Sequence, residues 1–288
     1  MKKASIIGIG LIGSSIARAL RHHYVDIDIL IIDTNINHLK QSETLKLGST
    51  YKNIIDNEII NSDIIFICSP LSSYKEILMQ LNQFDLEDTI ITDVGSAKMK
   101  VVEIAENNLT NKIFVPGHPI AGTEKSGPDF GFKELFNNRW FISTKCNLCD
   151  ENSLNKVNLI WKKFGSNTQI MSAKDHDSIM AITSHIPHLI AYNIVGTANE
   201  LEEKIKSEVI KFSASGFRDF TRIAASDPTM WRDILINNKE EVLSLLEKFN
   251  SDLKELEKAI KNEDSDFLFN KFKKTQAIRE RIVESGQD

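Results

Sequence analysis

Residues 5–19 read SIIGIGLIGSSIARA, and this stretch decides how the chain begins to fold. Its first half is an apolar run that is typical of a buried strand, and its second half predicts a helix. Between them, Gly8, Gly10 and Gly13 have the spacing GxGxxG in the strand–turn–helix context that this motif requires. Gly8 permits a tight turn, Gly10 lets the backbone approach a pyrophosphate, and Gly13 allows the helix to pack closely on the strand. The sequence therefore predicts a dinucleotide site at this turn.

Further cofactor contacts are predicted around the turn. Leu11 and Ile12 lie where the helix begins, and free N–H groups at a helix N-terminus bind phosphates. Asp33 ends the next predicted strand, twenty residues after the last glycine of the motif. A carboxylate there accepts hydrogen bonds from the adenine ribose and would repel a 2′-phosphate, so NAD is favoured over NADP. Ser69 and Pro70 follow a later strand, and we expect them to contact the nicotinamide half.

Up to about residue 172, short apolar runs alternate with helix-like stretches. Strands alternating with helices indicate βαβ units, and hence a Rossmann-type α/β fold with a doubly wound parallel sheet. Beyond residue 172 the strand signal fades, which predicts an all-α domain. We expect a dinucleotide-binding domain over 1–172 and a helical substrate and dimerisation domain over 173–288. The predicted strands are SIIGIG, DILIIDT, DIIFICS, TIITDV, KIFVPG and RWFIST, with a last one at 168–171.

Two segments of the chain resemble membrane or export signals. The basic start followed by an apolar run resembles a signal peptide, but the spacing of the glycines has a purpose that export does not require. Residues 178–199 lack Asp, Glu, Lys and Arg over a length that suits a membrane span. They also contain His185, Pro187 and His188, of which the histidines are costly in lipid. We expect a buried helix that bends near Pro187.

A long apolar repeat follows in the second half of the chain. Its residues keep a spacing of three to four, which predicts a long helix. This spacing is compatible with the core of a bundle and with the seam of a homodimer, and it does not separate the two. The repeat consists of Val242, Leu245, Leu246, Phe249, Leu253, Leu256 and Ile260.

The composition excludes several classes of protein. The 288 residues are 41% hydrophobic and 26% charged, with a net charge of −5, which is ordinary for a globular protein. No basic excess indicates nucleic acid. Three cysteines favour a reducing compartment, so we expect a cytoplasmic protein that contacts no membrane. Cys146 and Cys149 have no second pair, so this CxxC motif is interpreted as incidental and no metal is expected.

Two loops that follow later strands carry candidate catalytic residues. The first, DVGSAK at 93–98, contains Ser96, and the second, PGHPIAGTE at 116–124, contains His118. A dehydrogenase that acts on an alcohol needs a group that takes the hydroxyl proton, and histidine has a suitable pKa. His118 lies between glycine and proline, in a loop predicted to be unsuited to regular structure, and Ser96 is predicted to orient it. The alternative is a structural loop histidine.

Polar residues of the second half suggest a substrate pocket. His185 and His188 are three residues apart on an otherwise apolar segment, so they share a helix face. Arg218 and Arg222 lie beside a predicted glycine turn and are suited to holding a carboxylate. The alternative for the arginines is surface ion pairing with Asp219 or glutamates.

Taken together, DVGSAK, GHPIAGTEKSGP, SHIPH and GFRDFTRIAASDPTMWRDI resemble the prephenate/arogenate dehydrogenase family of tyrosine biosynthesis. The resemblance runs from the first strand to about residue 260. It implies a Rossmann domain plus a helical dimerisation domain, a homodimer, and oxidative decarboxylation of prephenate to 4-hydroxyphenylpyruvate with NAD. Because the first predicted strand starts at Ala4 and the chain stops soon after the long helix, we expect no fused chorismate mutase domain and no C-terminal regulatory domain. Any feedback by tyrosine would then act at or near the active site.

The resemblance also assigns residue roles. His118 is similar to the catalytic histidine that interacts with the ring hydroxyl, and Ser96 to its orienting partner. Arg222 resembles the arginine that holds a substrate carboxylate, and His188, with His185 beside it, resembles a substrate-binding histidine. The remaining matches are Thr123, a pocket residue, and Glu124 and Asp219, an acidic pair that takes part in gating access.

Three other functions stay open at this point. Arogenate, alone or together with prephenate, differs from prephenate only in an amino group in place of a keto group. A related two-domain reductase acting on a β-hydroxy acid or an imine would have the same architecture. A non-catalytic NAD sensor would need the glycine turn but no proton acceptor.

Overall fold

The computed structural model describes residues 1–200, 208, 211–212 and 214–284. Part of the predicted helical half, residues 201–207, 209–210, 213 and 285–288, lies outside the described residues. The chain forms two compact units, Met1–Lys239 and Glu240–Asp288. The first unit contains the whole of the predicted 1–172 domain and the first helices of the predicted helical domain. The division at residue 172 stays a prediction.

A six-stranded parallel sheet forms the centre of the first unit, in the order β3-β2-β1-β4-β5-β6. This is the strand order of Rossmann-type dinucleotide-binding folds, so the predicted fold class is confirmed. The central strands are apolar and buried because helices cover both faces of the sheet. The bounds are β1 Lys3–Ile7, β2 Asp28–Ile32, β3 Thr50–Lys52, β4 Ile64–Ile67, β5 Ile90–Asp93 and β6 Ile113–Val115.

The sequence missed the edge strand β3. Its three residues, Thr50–Lys52, are only half-buried and pair with β2 alone. No continuous apolar run marks them, because an edge strand with partly exposed side chains has little need of one.

A smaller three-stranded sheet adjoins the first and consists of β7 (Gly117–Pro119), β8 (Trp140–Thr144) and β9 (Asn167–Met171). β7 pairs antiparallel with β8, with His118 opposite Ile142. The prediction that the Gly-His-Pro segment is unsuited to regular structure is therefore wrong. Its partner strand begins more than twenty residues later, so nothing in the local sequence could indicate the pairing.

Helices pack on both faces of the large sheet. One apolar cluster includes Ile16 and Leu20 of α1 and Trp161 of α5, and the cluster on the other face includes Leu78 of α3. The helix α5 begins after a capping box, in which Asp150 accepts the N–H of Ser153. The helices are α1 Leu11–His23, α2 Ile36–Thr44, α3 Tyr74–Leu81, α4 Met99–Asn108 and α5 Glu151–Lys163.

The helical part of the first unit begins with α6 (Ala173–Met180). A π-helical turn at Ala181–His185 joins it to α7 (Ile186–Asn199). The regular helix is thus interrupted just before Pro187, near the predicted bend. The expectation that 178–199 is buried is only partly correct, because the second half of α7 is exposed in the single chain, with Ile194 and Val195 at 40% and 41%.

Two further helices complete the described part of this unit, α8 (Ser215–Thr221) and α9 (Pro228–Asn237). Gly216 lies inside α8, so the predicted glycine turn beside Arg218 is wrong: this segment is a short helix. Asp227 caps α9 by accepting the N–H of Met230, and Pro228 occupies the first helical position, where its missing N–H costs nothing.

The second unit contains the long helix α10 (Lys239–Lys261), apart from its first residue, and α11 (Ser265–Glu284). The predicted long helix is confirmed. Val242 and Ala259 are buried in it, whereas Leu243, Leu253 and Ile260 are exposed in the single chain. No helix among the described residues, 178–199 included, is both long and apolar enough to cross a membrane.

Candidate active site

The glycine turn has the geometry that a pyrophosphate site requires. Gly8 has φ +94°, which favours glycine, and a Cβ there would lie 2.7 Å from the backbone of Cys68. A Cβ on Gly13 would lie 2.1 Å from the carbonyl oxygen of Gly8, so only glycine allows α1 to pack this closely. At Gly10 a Cβ would meet no atom within 4 Å. The space in front of Gly10 is therefore open, as the approach of a phosphate group requires.

The start of α1 suits an anion. Gly10 offers no side-chain cap, and the first turn, which contains Leu11 and Ile12, holds no acidic residue. The uncapped N–H groups and the positive end of the helix dipole both favour a phosphate here.

Asp33 lies directly beside this turn. Its carboxylate accepts the N–H of Ile9 at 2.8 Å and the N–H of Asn35 at 2.8 Å. These bonds fix the carboxylate at the end of β2, next to the glycine turn. Ser69 follows β4 at the same edge of the sheet, where it accepts a hydrogen bond from Ser73, and Pro70 is exposed beside it.

A chain of hydrogen bonds runs from His118 into the helical part of the unit. His118 Nδ1 lies 2.8 Å from His176 Nε2, and His176 Nδ1 lies 2.7 Å from Asp177 Oδ1. Asp177 in turn accepts the N–H groups of Lys98 at 2.7 Å and Met99 at 2.8 Å, where α4 begins. All the side chains of this His118–His176–Asp177 chain are buried.

This chain determines where the protons are. The Asp177 carboxylate accepts only, so His176 carries its proton on Nδ1 and its Nε2 is the acceptor. Nδ1 of His118 must then donate to His176. In neutral His118 the other ring nitrogen, Nε2, therefore has a free lone pair, and no described residue donates a hydrogen bond to it. His118 is thus held in the tautomer that can accept a proton at Nε2.

The surroundings keep His118 neutral. Burial is the main cause that lowers the pKa of His118 well below its ordinary value, and the charges of His176 and Lys98 act in the same direction. Burial also lowers the pKa of His176, against the opposing effect of Asp177. A histidine that is neutral near pH 7 is in the correct state to act as a base.

Asp93 and Lys98 clamp the segment that carries His118. Lys98 Nζ lies 2.6 Å from Asp93 Oδ2 and donates to the carbonyl of Gly117 at 2.6 Å. Asp93 also accepts the N–H groups of Gly95 at 2.8 Å and Gly117 at 2.9 Å. A fully buried ion pair with every oxygen satisfied holds the end of β5, the start of α4 and β7 together.

A second cluster contains two buried donors that no described residue satisfies. Asn238 donates to His185 Nδ1 at 3.1 Å and to the carbonyl of Asp177 at 2.9 Å. His185 therefore carries its proton on Nε2, and neither this buried nitrogen nor Trp231 Nε1 has a hydrogen-bond partner among the described residues. Burial lowers the pKa of His185 to about 4, so it is neutral. Unpaired buried N–H groups are costly unless a ligand accepts from them.

His188 stacks on Trp231, with ring centroids 3.6 Å apart, and its Nδ1 donates to the carbonyl of Ser184 at 2.8 Å. Burial is the main cause that lowers the pKa of His188, and the nearby charge of Arg222 adds to it. The predicted pair His185 and His188 thus meets around a single tryptophan.

The predicted charged residues lie at the surface of the site. Arg222 Nη1 is 3.5 Å from Glu124 Oε2, with side chains that are 64% and 39% exposed, so the structure brings these two together as a weak pair. Arg218 and Asp219 are exposed on α8. Thr123 is exposed and accepts the N–H of Lys125 at 3.2 Å.

Ser96 is half-buried on the loop after β5. No hydrogen bond joins it to His118, whose Nδ1 is occupied by His176. Within the described residues, the orientation of His118 is set by His176, and a role for Ser96 stays a prediction.

The sequence interpretation missed His176, Asp177, Lys98, Asp93, Trp231 and Asn238 as site residues. Asp93 and Lys98 stand in the same DVGSAK segment as Ser96, and a charged residue at the end of a buried strand could have indicated them. His176 lies 58 residues from His118, so no spacing indicates their contact. Among the described residues, no group of three or more His, Cys, Asp or Glu side chains is placed to hold a metal ion.

A Rossmann-type sheet, a glycine turn open to a phosphate and a buried neutral histidine at the same edge define a dinucleotide-dependent dehydrogenase. The comparisons with known proteins identify its family. Residues 16–170 match the family model "Prephenate dehydrogenase, nucleotide-binding domain", and residues 172–274 match "Prephenate dehydrogenase, dimerization domain". The chain belongs to the prephenate dehydrogenase family, as the sequence motifs predicted.

Individual relatives agree with this assignment. The chain is 37% identical to the cyclohexadienyl dehydrogenase of Zymomonas mobilis over 96% of its length and 95% of that protein. It is 33% identical to the prephenate dehydrogenase of Bacillus subtilis over 96% of its length and 75% of that protein. The structure of prephenate dehydrogenase from Aquifex aeolicus, in complex with hydroxyphenyl propionate and NAD+, is similar with a TM-score of 0.91 and 34% identity, covering 98% of each chain. The protein is thus a dehydrogenase of the prephenate/cyclohexadienyl type.

Proposed function

We propose that this protein oxidises and decarboxylates prephenate to 4-hydroxyphenylpyruvate, with NAD as the cofactor. The observation that carries the proposal is the His118–His176–Asp177 chain, which holds a neutral histidine with a free Nε2 at the carboxyl edge of the dinucleotide-binding sheet. The Aquifex aeolicus relative, which holds NAD+ and hydroxyphenyl propionate, supports both the cofactor and a phenol-like ligand.

The residues around the glycine turn fit NAD. Gly10 leaves room for the pyrophosphate, and the start of α1 supplies free N–H groups. The Asp33 carboxylate would accept hydrogen bonds from the adenine ribose and would repel a 2′-phosphate. Ser69 and Pro70 lie at the edge of the sheet where the nicotinamide half would extend. When bound, NAD supplies the acceptor for the hydride that leaves the substrate.

His118 takes the proton of the ring hydroxyl at Nε2 as the hydride leaves the carbon that carries this hydroxyl. The ring carboxylate is then lost as CO2, its bonding electrons make the ring aromatic, and His118 returns the proton to the phenolate oxygen. The positive charge that His118 holds between these steps is stabilised through Nδ1–H, which already donates to His176, and through the Asp177 carboxylate behind it. No reorientation is needed at the moment of reaction, because the bonds of Lys98, Met99 and Asp93 fix this chain in advance. We propose that Ser96 contacts the same hydroxyl group from the loop after β5.

The substrate has two carboxylates, and we propose that one of them binds at the second cluster, formed by His185, Trp231 and Asn238. His185 Nε2–H and Trp231 Nε1–H are buried donors with no partner in the described part of the chain, and a carboxylate would satisfy them. His188 packs on Trp231 and would contact the ring of the substrate. Arg222 would hold the side-chain carboxylate, with Arg218 as a second cation on α8 and Thr123 as a neighbouring hydroxyl. Glu124 and Asp219 would gate the entrance.

A second candidate substrate is arogenate, alone or with prephenate. Glu124 lies 3.5 Å from Arg222, so a group bound by this arginine has a carboxylate beside it. A carboxylate there would favour the ammonium group that arogenate has in place of the keto group. The similarity to the cyclohexadienyl dehydrogenase of Zymomonas mobilis supports the same candidate.

The test is formation of NADH, followed by its absorbance, with prephenate and arogenate offered separately, each with NAD and with NADP. We expect turnover of prephenate with NAD. Turnover of arogenate but not of prephenate would mean that arogenate is the substrate, while the proposed mechanism would be unchanged. If folded protein that binds NAD turned over neither substrate, the proposed reaction would be wrong and a sensor or another reductase would remain.

Glu124→Gln distinguishes the two substrates further. If Glu124 recognises an ammonium group, this variant should lower kcat/KM for arogenate about tenfold and leave that for prephenate unchanged or raised. Glu134→Gln, at an exposed glutamate outside the cluster, is the matched control. An equal loss with both substrates would contradict the proposed role of Glu124.

A further inference from the structure

The Cys146–Cys149 turn, between β8 and α5, is a feature that the dehydrogenase reaction does not use. The structure places Cys146 Sγ and Cys149 Sγ 3.6 Å apart. A disulfide needs an S–S separation of about 2.05 Å, so closing the bond requires the two sulphurs to approach by only about 1.5 Å. The spacing that the sequence left without a function is thus a preformed pair of thiols.

Backbone bonds hold this pair in position. The N–H of Cys149 donates to the carbonyl of Cys146, closing the turn, and the N–H of Leu154 donates to Asp150 as α5 begins. The turn is also tied to the edge of the large sheet: Phe114 donates its N–H to the carbonyl of Leu148 at 3.1 Å, and Cys146 Sγ lies 3.2 Å from the carbonyl of Phe114. The sulphurs therefore stay close in the folded protein.

The two thiols are not equivalent. Cys149 Sγ faces two donors, the N–H of Cys146 at 3.4 Å and the thiol of Cys146 at 3.6 Å. The hydrogen bond from Cys146 is the main cause that lowers the pKa of Cys149 to about 7, against burial and the nearby carboxylates of Asp150 and Glu106. The same bond raises the pKa of Cys146. Cys149 is therefore the better thiolate.

Cys149 is also reachable from solvent. It is half-buried and lines an open surface pocket of about 440 Å³, together with Lys112, Ile113, Leu148 and Asp150. Because the pocket is open to solvent, a small organic disulfide can approach Cys149 there, and Lys112 offers a cation to a carboxylate on such a molecule.

We propose that Cys146 and Cys149 form a redox-active dithiol, which a small-molecule disulfide such as glutathione disulfide oxidises to an intramolecular disulfide. Cys149 attacks one sulphur of the oxidant and releases the first thiolate, giving a mixed disulfide. Cys146 then loses its proton to solvent and attacks Cys149 Sγ, which releases the second thiolate. The two protein thiols lose two electrons, and the oxidant is reduced to two thiols.

The test uses the whole protein, reduced, dialysed and equilibrated with glutathione buffers of increasing disulfide content. Acid stops the exchange, and the free thiols are then alkylated at neutral pH in denaturant. Trypsin releases both cysteines in one peptide, 146–156, because it cleaves after Lys145 and Lys156. We expect this peptide to lose two hydrogens and to resist alkylation, while Cys68 stays reduced. Cys68 is the internal control, since burial raises the pKa of its thiol.

Single variants identify the attacking thiol. Cys146→Ser should accumulate a stable glutathione adduct on Cys149, whereas Cys149→Ser should leave Cys146 unmodified. Cys146→Ala, which removes the thiol donor, should raise the pH midpoint of Cys149 alkylation towards that of a free cysteine. Circular dichroism of each variant controls for folding.

The proposal would be overturned if both cysteines of the folded wild-type protein stayed reduced in buffers that oxidise a reference CxxC dithiol. It would also be overturned if the adduct formed on Cys146 in Cys149→Ser and not on Cys149 in Cys146→Ser. Neither result depends on dehydrogenase activity, so this test is independent of the proposed reaction.

Discussion

His118 illustrates how a side chain receives a chemical role from its neighbours. Alone, a histidine has two interchangeable tautomers and a pKa close to 6.5. Here the bond to His176 selects one tautomer, the carboxylate of Asp177 fixes His176, and burial keeps the ring neutral. The result is a base whose free lone pair is on a defined atom, Nε2.

His118→Asn should reduce kcat by about 10²–10⁴-fold, the usual contribution of a positioned base, because asparagine cannot take up the hydroxyl proton. NAD binding should not change, since His118 lies outside the glycine turn. Steady-state kinetics and NAD titration by fluorescence measure the two effects. Replacing the exposed His22 by asparagine is the matched control. Near-normal turnover of His118→Asn would rule out the assignment.

His176→Asn tests the positioning role of the second histidine in the same experiment. It removes the acceptor for Nδ1–H of His118, so the tautomer with a free Nε2 is no longer favoured and kcat should fall about tenfold or more. The ¹⁵N spectrum of His118 should show that the protonated nitrogen changes from Nδ1 to Nε2. A purely structural role of His176 would not change this spectrum. An unchanged spectrum would mean that His176 does not select the tautomer.

At the scale of elements, the first strand, the glycine turn and α1 form the dinucleotide site together. Gly13 allows the close packing of α1, and Gly10 leaves the space in front of the helix. These two glycines therefore serve different purposes, although the motif presents them as one pattern.

Gly10→Ala and Gly13→Ala separate these purposes. Gly10→Ala should leave the Tm almost unchanged and raise the Kd for NAD on the order of tenfold or more, because its methyl group occupies the space that the pyrophosphate needs. Gly13→Ala should lower the free energy of unfolding by about 1–3 kcal/mol, because its Cβ would lie 2.1 Å from the Gly8 carbonyl. Calorimetry measures both quantities. A Gly10→Ala variant that binds NAD normally would contradict the proposed site.

The helices after residue 172 have apolar side chains that are exposed in the single chain. Ile194 and Val195 of α7 are exposed, and so are Leu243 and Leu253 of α10. Single exposed apolar residues are normal, but the matched family model for this part of the chain is a dimerisation domain, which supports the predicted homodimer. The spacing of apolar residues in the sequence could not separate a bundle core from a dimer seam, because both bury the same apolar face of the helix.

At the scale of the whole molecule, the buried histidines link stability to pH. His118, His176, His185 and His188 all have pKa values lowered chiefly by burial. The unfolded chain, whose histidines have their ordinary pKa near 6.5, binds protons that the folded protein does not. Above about pH 6.5 these histidines therefore do not reduce the free energy of unfolding. Below pH 6.5 that free energy falls as the pH approaches the histidine pKa values of the folded state.

We expect the free energy of unfolding to fall from pH 7.5 to pH 5.5, by up to about 1.4 kcal/mol per pH unit for each such histidine once the pH is below 6.5. Urea denaturation at a series of pH values measures this slope. His185→Asn should flatten it, because one proton fewer is taken up on unfolding, while His22→Asn at an exposed position should leave it less affected. A stability that is independent of pH here would contradict the burial of these histidines.

Most of the sheet and the cofactor turn could be predicted because their signals are local. A strand buried on both faces is typically a continuous apolar run, which predicts β1, β2, β4 and β5. A turn that approaches a phosphate requires glycine, which predicts the turn at residues 8–13. The edge strand β3 and the strand that carries His118 were missed. Their signals lie in partners elsewhere in the chain.

By itself, the sequence determined the strand–turn–helix start, the alternation that makes the doubly wound sheet, and the motifs that identify the family. Each depends on residues within one element, where periodicity and residue type are sufficient. Only the tertiary structure decided that His176, not Ser96, contacts Nδ1 of His118, that Asp93 and Lys98 clamp β7, and that two sulphurs meet at a turn. Hydrogen bonds act over about 3 Å in space. The spacing of residues along the chain does not indicate which distant atoms the fold brings to that distance.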